Sequence, residues 1–416
     1  MKDPNYFDVI VVGGGASGLM AAGRALELGK RVLLLEKNRS LGEKLKITGG
    51  GRCNVTNAEF DIHKLLSKYG KAKDFLYSPF SQFGVQDTFD FFEKRGLPLV
   101  VQARKRAFPH TEKATDVFKV LQKYIRHHQS LVRTNSAVDK VNFSENTVRN
   151  VVVGDRKYMA DNFIFATGGV SAPKTGSTGD GFKWLAKMGH TVKKSNPNIV
   201  PLLVKEKWVK DLSGVSLSFM KITFFLGDKK QFSKVGKILF THFGLSGPLI
   251  LNSASQVNDL LEAGTVSARI DMYPDTDLGT LEKDITKKFD ANKNKTLKNV
   301  FAEIAPRGIA PALELLLGEK LSEKKVHSVT KEERKTIVHL LKEMSVTIQG
   351  LMGFDRAVIS DGGIVLEEID TKTMRSRKFK NLYITGDLLN IRRPSGGYSL
   401  QLCWTTGFVA GTHASI

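Results

Sequence analysis

The 416-residue sequence predicts an α/β protein in which a two-segment nucleotide-binding domain is interrupted by an inserted domain of β-sheet and helices. Three observations predict it. A glycine-rich turn joins an apolar strand to an amphipathic helix at the start, alternating apolar residues fill the middle, and short apolar strands return near the end. A chain of this length buries more than one core. With 41% hydrophobic and 25% charged residues the composition is that of a globular protein, which excludes wholesale disorder.

The opening reads as a βαβ unit. Asp8 to Val12 is an apolar strand, and Ala16 to Leu28 is a helix with Leu19, Ala22 and Leu26 on one face, stopped by Gly29. Arg31 to Glu36 is a second strand, apolar from Val32 to Leu35 as buried parallel strands are. Further along, Glu112 to His128 has helical spacing at Val117, Leu121, Tyr124 and Ile125. Strands follow around Leu131 to Phe143, Asn146 to Val153 and Asn162 to Ala166.

The pattern changes near Pro197. Met220, Ile222, Phe224 and Leu226 alternate with other residues, a Gly227-Asp228 turn follows, and Ile238 and Phe240 resume the alternation, as in half-buried antiparallel sheet. Pro248 opens a helix carrying Leu251, Ala254 and Val257, and Val266 to Met272 is another alternating strand. Leu278 to Met344 is helical and charged, and Thr330 with Glu333 forms a capping box for its last helix. The boundaries read this way are 1–193 and 344–416 for the two-segment domain and 194–343 for the insert.

Gly13-Gly14-Gly15-Ala16-Ser17-Gly18 matches GxGxxG between strand and helix, the Rossmann-type phosphate turn. Gly13 permits the tight turn, Gly15 admits a pyrophosphate, and Gly18 lets helix pack on sheet. Glu36 ends the next strand where a carboxylate accepts hydrogen bonds from ribose hydroxyls, and it argues against a 2′-phosphate there.

The fingerprint alone does not separate NAD from FAD. Tyr383-Ile384-Thr385-Gly386-Asp387 is a strand ending in Gly-Asp, placing a carboxylate for a ribityl hydroxyl, and Gly396-Gly397-Tyr398 opens a final helix whose N-terminus would face the flavin N1/O2 edge. These features select FAD, and because nothing in the sequence resembles a known flavin attachment site the cofactor is expected to be non-covalent. A second GxGxxG unit is absent, so NAD(P)H is expected only as a transient electron donor at the open flavin face.

Thr48-Gly49-Gly50-Gly51-Arg52-Cys53-Asn54, Ala166-Thr167-Gly168-Gly169 and Gly386-Asp387 with Gly396-Gly397-Tyr398 resemble the BaiN/YhiN-type flavoproteins, the aminoacetone-oxidase-family FAD-binding enzymes. Phe108-Pro109 and Phe240 to Pro248 extend the likeness over essentially the whole chain. The resemblance implies a two-segment FAD domain with an insert, Thr48 to Asn54 beside the flavin and pyrophosphate, and Ala16, Glu36 and Val138 on the adenosine half. The expected cofactor-binding set also takes in Ser17, Lys37, Lys44, Ala166, Thr167, Gly168 and Ser399. The chain departs from the family at Arg392 and Arg393, where relatives carry acidic residues, and at Ser399, where Asn is common.

The activity expected is FAD-dependent oxidoreduction, with NAD(P)H-dependent reduction of an unsaturated carbonyl compound leading. An aminoacetone-oxidase-like amine oxidase using oxygen is the alternative, and a tRNA-modifying flavoprotein a third. His242, Tyr398 and Arg52 are the candidate catalytic residues. Arg392 and Arg393 are the candidate substrate residues, at least one of them expected near the flavin's pyrimidine edge or the substrate mouth, where the pair would favour an anionic small molecule. No metal-ligand cluster is present.

The formal charge of +21 raises a polyanionic partner. Because Lys and Arg are scattered along the chain without a dense block, the sequence is not read as a nucleic-acid binder. Two cysteines in no paired spacing, no apolar run long enough to span a membrane and no signal-like N-terminus point to a reducing, cytoplasmic setting.

Overall fold

Tyr6–Val12 forms the first strand, β1, and the turn after it leads into helix α1, Ala16–Glu27, and strand β2, Val32–Leu35. β1 and β2 are parallel, with Val9 beside Val32 and Val12 beside Leu35, and all four β2 residues are buried. The other side of β1 pairs in parallel with Arg156–Phe165, which in turn pairs with Leu382–Ile384 from the C-terminal segment. Sequence-distant strands thereby join one sheet, ordered Ser130–Arg133, β2, β1, Arg156–Phe165, Thr147–Val153, Lys140–Ser144, with Leu382–Ile384 on the same central strand.

The computed structural model describes residues 3–126 and 129–416. They form two compact units, Met1–Asn196 with Val358–Ile416, and Pro197–Ala357. In the first unit the final helix, Tyr398–His413, lies against α1. Gly407 and Gly411 make that approach possible: a Cβ on Gly407 would stand 2.4 Å from Ser17 O, and one on Gly411 2.5 Å from Ala21 O. The helix expected over Glu112 to His128 spans Ala114–Tyr124, and its expected end at 127–128 lies outside the described residues.

The second unit is a closed six-stranded barrel, ordered Leu202–Val204, Gly244–Ser246, Lys229–Thr241, Ser216–Leu226, Val266–Asp271, Met344–Leu351. Helices then complete its core around Leu281, Ile285, Phe301 and Leu341. The half-buried antiparallel sheet expected here is present and closes on itself as a barrel. The closing strand is Met344–Leu351, assigned by the sequence reading to the returning segment. Its Met344, Val346 and Ile348 point inward, and it pairs with Val266–Asp271 on one side and Leu202–Val204 on the other. The chain returns to the first unit at Val358, not at 344. Thr330 and Glu333 do form a reciprocal capping box. The single helix expected after Pro248 is two, Pro248–Leu251 and Ala254–Ala263.

Candidate active site

The turn after β1 brings three glycines under steric constraint for different reasons. Gly13 has φ +106°, and a Cβ there would lie 2.5 Å from Ala166 O. A Cβ on Gly18 would fall 1.8 Å from Gly13 O. Gly15 is the opposite case: a Cβ would meet nothing within 4 Å, because this face opens on a cavity. Exposed N–H groups at the start of α1 and the helix dipole favour an anion there.

The cavity belongs to the first unit and encloses about 1230 Å³ of atom-free space, part of it open to solvent. Gly13, Gly15, Ala16, Ser17, Glu36, Lys37, Lys44, Thr48, Val138, Ala166, Thr167, Gly168, Asp387 and Ser399 line it, all expected cofactor residues. Strand ends of β1, β2 and Arg156–Phe165 meet the N-terminus of the final helix here, so the two chain segments build one site. Thr167 lines the cavity but its Oγ1 is buried toward Gly181, and it is the open face of Gly15 at the start of α1 that fits a phosphate-bearing ligand such as FAD.

Glu36 is buried at the end of β2. Its Oε2 accepts from Gly14 N and its Oε1 from Asn38 N, both at 2.8 Å. Each carboxylate oxygen has a second lone pair for a ribose hydroxyl. Asn38 Nδ2 also donates to Thr175 O (2.9 Å), drawing the 175–181 glycine-rich loop over this end of the cavity, and Lys37 Nζ is held by Asp180 at 2.8 Å. Glu36→Ala is expected to weaken FAD binding roughly ten- to more than a hundredfold, the loss of charge-assisted hydrogen bonds worth about 1.5–3 kcal/mol. Flavin titration of the apoprotein checks this, and wild-type affinity would remove Glu36 from the ribose. Glu36→Gln, which keeps one acceptor, should fall between the two.

At the other end lie Lys44, Asp387, Ser399 and Cys403. Lys44 Nζ donates to Ser171 Oγ at 3.2 Å. Burial pulls its ammonium pKa below the usual lysine value, with Asp387 opposing. Burial pushes the thiols of both Cys53 and Cys403 up to about 12, so both stay protonated near neutrality and neither is a nucleophile.

Arg393 corrects the sequence reading most. Its side chain is fully buried, not at a substrate mouth: the guanidinium pairs with Asp387 Oδ1 and donates to Ser399 Oγ (3.0 Å) and Ile391 O (2.8 Å). Burial works against its charge, yet the neighbouring Asp387 raises its pKa overall. Arg393 positions a cavity-wall carboxylate instead of meeting substrate. Arg392 faces the other way, half-exposed, with Nε 3.3 Å from Asp361 Oδ2.

The glycine heptapeptide also departs from expectation. Only its first residue, Thr48, lines the cavity. Gly49, Gly50, Gly51 and Cys53 all have φ between 57° and 86°, and this left-handed run swings Arg52 outward to pair with Glu112 and Gln102 while covering Phe108 at 4.4 Å. Asn54 is structural, its amide oxygen accepting from Gly397 N (3.0 Å) and its nitrogen donating to Thr56 O (3.0 Å). Gly396, Gly397 and Tyr398 open the final helix but do not themselves line the cavity. Tyr398 packs edge-on to Tyr69, with burial raising its phenol pKa. His242 sits exposed on a turn of the insert unit, against Phe243. Neither Arg52 nor Tyr398 lines the cavity. Cys403, Leu400, Ser177 and Trp184 line it without having been foreseen. The helical spacing of Ser399, Leu400 and Cys403 after the double glycine was the available signal for two of them.

Fold and site define a Rossmann-type flavoprotein, an FAD-dependent oxidoreductase. The chain belongs to the family described as HI0933-like protein Rossmann domain, whose profile matches residues 7–413. It is 29% identical over 409 residues to a 3-dehydro-bile acid delta(4,6)-reductase of Clostridium scindens, covering 97% of this chain and 98% of that one. It is 27% identical over 416 residues to a ribosomal RNA dihydrouridine synthase of Haemophilus influenzae, with 99% of each chain covered. Among solved structures, 3-ketosteroid-delta4-(5alpha)-dehydrogenase from Rhodococcus jostii superposes with a TM-score of 0.53 at 14% identity, covering 100% of this chain and 98% of that one, a likeness of fold. No helix among the described residues is long and apolar enough to cross a membrane.

Proposed function

We propose that the protein reduces a carbon–carbon double bond conjugated to a carbonyl, with NAD(P)H as the electron source. One observation carries the reading. Two relatives matched over nearly their full lengths have names denoting different substrates but the same chemistry. A 4,6-dienone and the uracil ring both present an alkene activated by a carbonyl, and each double bond reduced gains one hydride and one proton.

FAD, when bound, supplies the two-electron carrier between nicotinamide and substrate. This chain's residues hold and orient it. Gly15 and the start of α1 receive the pyrophosphate, Glu36 the ribose, and Asp387, fixed by Arg393, the ribityl chain. Lys44 places positive charge at the end of the cavity where the final helix begins, and helix N-terminus and ammonium together favour negative charge there. The lone GxGxxG unit supports a nicotinamide that visits and leaves.

Anaerobic stopped-flow absorbance of the flavin tests the proposal. NADH or NADPH should bleach the yellow protein, and an enone should restore the colour without oxygen. Bleaching by aminoacetone but not by either nicotinamide would overturn the reductase reading in favour of an amine oxidase.

A further inference from the structure

The insert barrel gathers on one ribbon the charge that looks scattered along the sequence. Ser216–Leu226 and Lys229–Thr241 pair antiparallel across the barrel wall. Their inward residues, among them Leu217, Ile222, Phe224 and Ile238, are buried. Outward, Lys221 lies opposite Val235, and Lys237 flanks a bulge where Ser218 and Phe219 together oppose one partner position. Lys229 and Lys230 stand at the tip, and Asp228 is the only acid in either strand or their turn. Among the described residues, none of these four lysines forms an ion pair, and Asp271, beside Lys221 on the next strand, is already taken by Lys342 at 2.8 Å.

Phe219 is the second observation. It is 76% exposed, and Val235 nearby is 60% exposed. Phe219 also has φ +60°, a left-handed conformation that a bulky residue adopts only against a steric penalty. Strain retained in order to hold an aromatic ring in water, between lysines, is the pattern of a functional surface.

We propose that the outer face of this ribbon is a platform for single-stranded RNA, with a base stacked on Phe219 and phosphates held by Lys221 and Lys237. A base has a π-face for the ring and a phosphate for each cation, and aromatic rings among cations on a barrel wall bind single strands through both. Between them the outer face carries Thr223 and Ser233, whose Oγ1 and Oγ stand 2.9 Å apart, and Phe225, whose ring is covered by the Arg269 guanidinium at 4.6 Å, a mixture of hydroxyls, cations and rings that suits a polar polymer and not a lipid. The inference rests on the conjugate-reduction reading for the fate of the RNA, whose uracils carry the required alkene. Binding itself is measured without turnover.

The test is fluorescence anisotropy of the full-length holoprotein with a labelled uridine-rich RNA of about 16 nucleotides, across a salt series. Phe219→Ala should weaken binding roughly five- to 150-fold. Lys221→Ala with Lys237→Ala should lower the slope of log K against log salt by about 1.4, which is about 0.7 per phosphate contact. Phe219→Gly should weaken binding while keeping or raising the thermal midpoint, since it relieves the left-handed strain, whereas a purely structural Phe219 would lose stability. All variants should retain nicotinamide-driven flavin bleaching, so loss of RNA binding is separable from failure of the reductase reading. Wild-type RNA affinity in all variants, equal variant sensitivity toward phosphatidylserine vesicles, or a change of oligomeric state in place of RNA binding would each overturn the proposal.

Discussion

Replacing Arg393 with alanine should destabilise the protein by about 3–5 kcal/mol and lower its thermal midpoint by about 6–20 °C. The guanidinium is fully buried and meets Asp387, Ser399 and Ile391 O, so truncation opens a cavity and strands a carboxylate beside it. Removing one partner of a buried pair costs more than removing both, because the remaining charge loses its compensation. Arg393→Met with Asp387→Asn should therefore recover a large part of the stability while FAD affinity stays low, since Asp387 lines the cavity. Arg393→Lys should fall short of wild type, as an ammonium cannot reproduce the planar fork that reaches three acceptors. Thermal unfolding of the apoproteins separates these cases. An unchanged midpoint for Arg393→Ala would mean that the buried pair contributes nothing to the fold.

Gly15→Ala should produce the reverse signature: a fold intact and a cofactor site closed. Its φ of −82° suits alanine, and the added Cβ meets no protein atom within 4 Å. A small loss at the helix N-cap and a small gain from a stiffer unfolded chain oppose each other, so the apoprotein midpoint should stay within about 4 °C. The methyl group instead occupies the space against which a pyrophosphate would rest. Overpacking by about 1–3 kcal/mol should weaken FAD roughly five- to 150-fold. Gly18→Ala is the control, because its Cβ would overlap Gly13 O at 1.8 Å and should disrupt the turn itself. If Gly15→Ala binds FAD as wild type does, the pyrophosphate does not cross that position.

What the sequence made legible was local. β1, α1 and β2 follow from an apolar run, helical spacing and a second apolar run, and the phosphate turn between them is set by glycines whose steric reasons are short-range. The last helix and its double glycine were readable for the same reason. The environment of Arg393 was not, because its burial depends on Asp387 folding back beneath it and on Ser399 arriving from the next helix. Nor was the outward turn of Arg52, which follows from a run of left-handed residues whose direction no residue type encodes. Barrel closure by Met344–Leu351 was carried by a visible alternation, yet the two strands it joins lie about 80 and 140 residues earlier, and strand pairing at that separation leaves no local mark. Even the basic ribbon escaped notice, since lysines spread between positions 221 and 237 look dispersed until the two strands pair.

Whether the two-segment cavity holds non-covalent FAD is decided by denaturing the purified protein and identifying what enters the supernatant. FAD should be released quantitatively and in a one-to-one ratio with the chain. Release of FMN, the absence of any flavin, or a flavin that stays with the denatured polypeptide would contradict it.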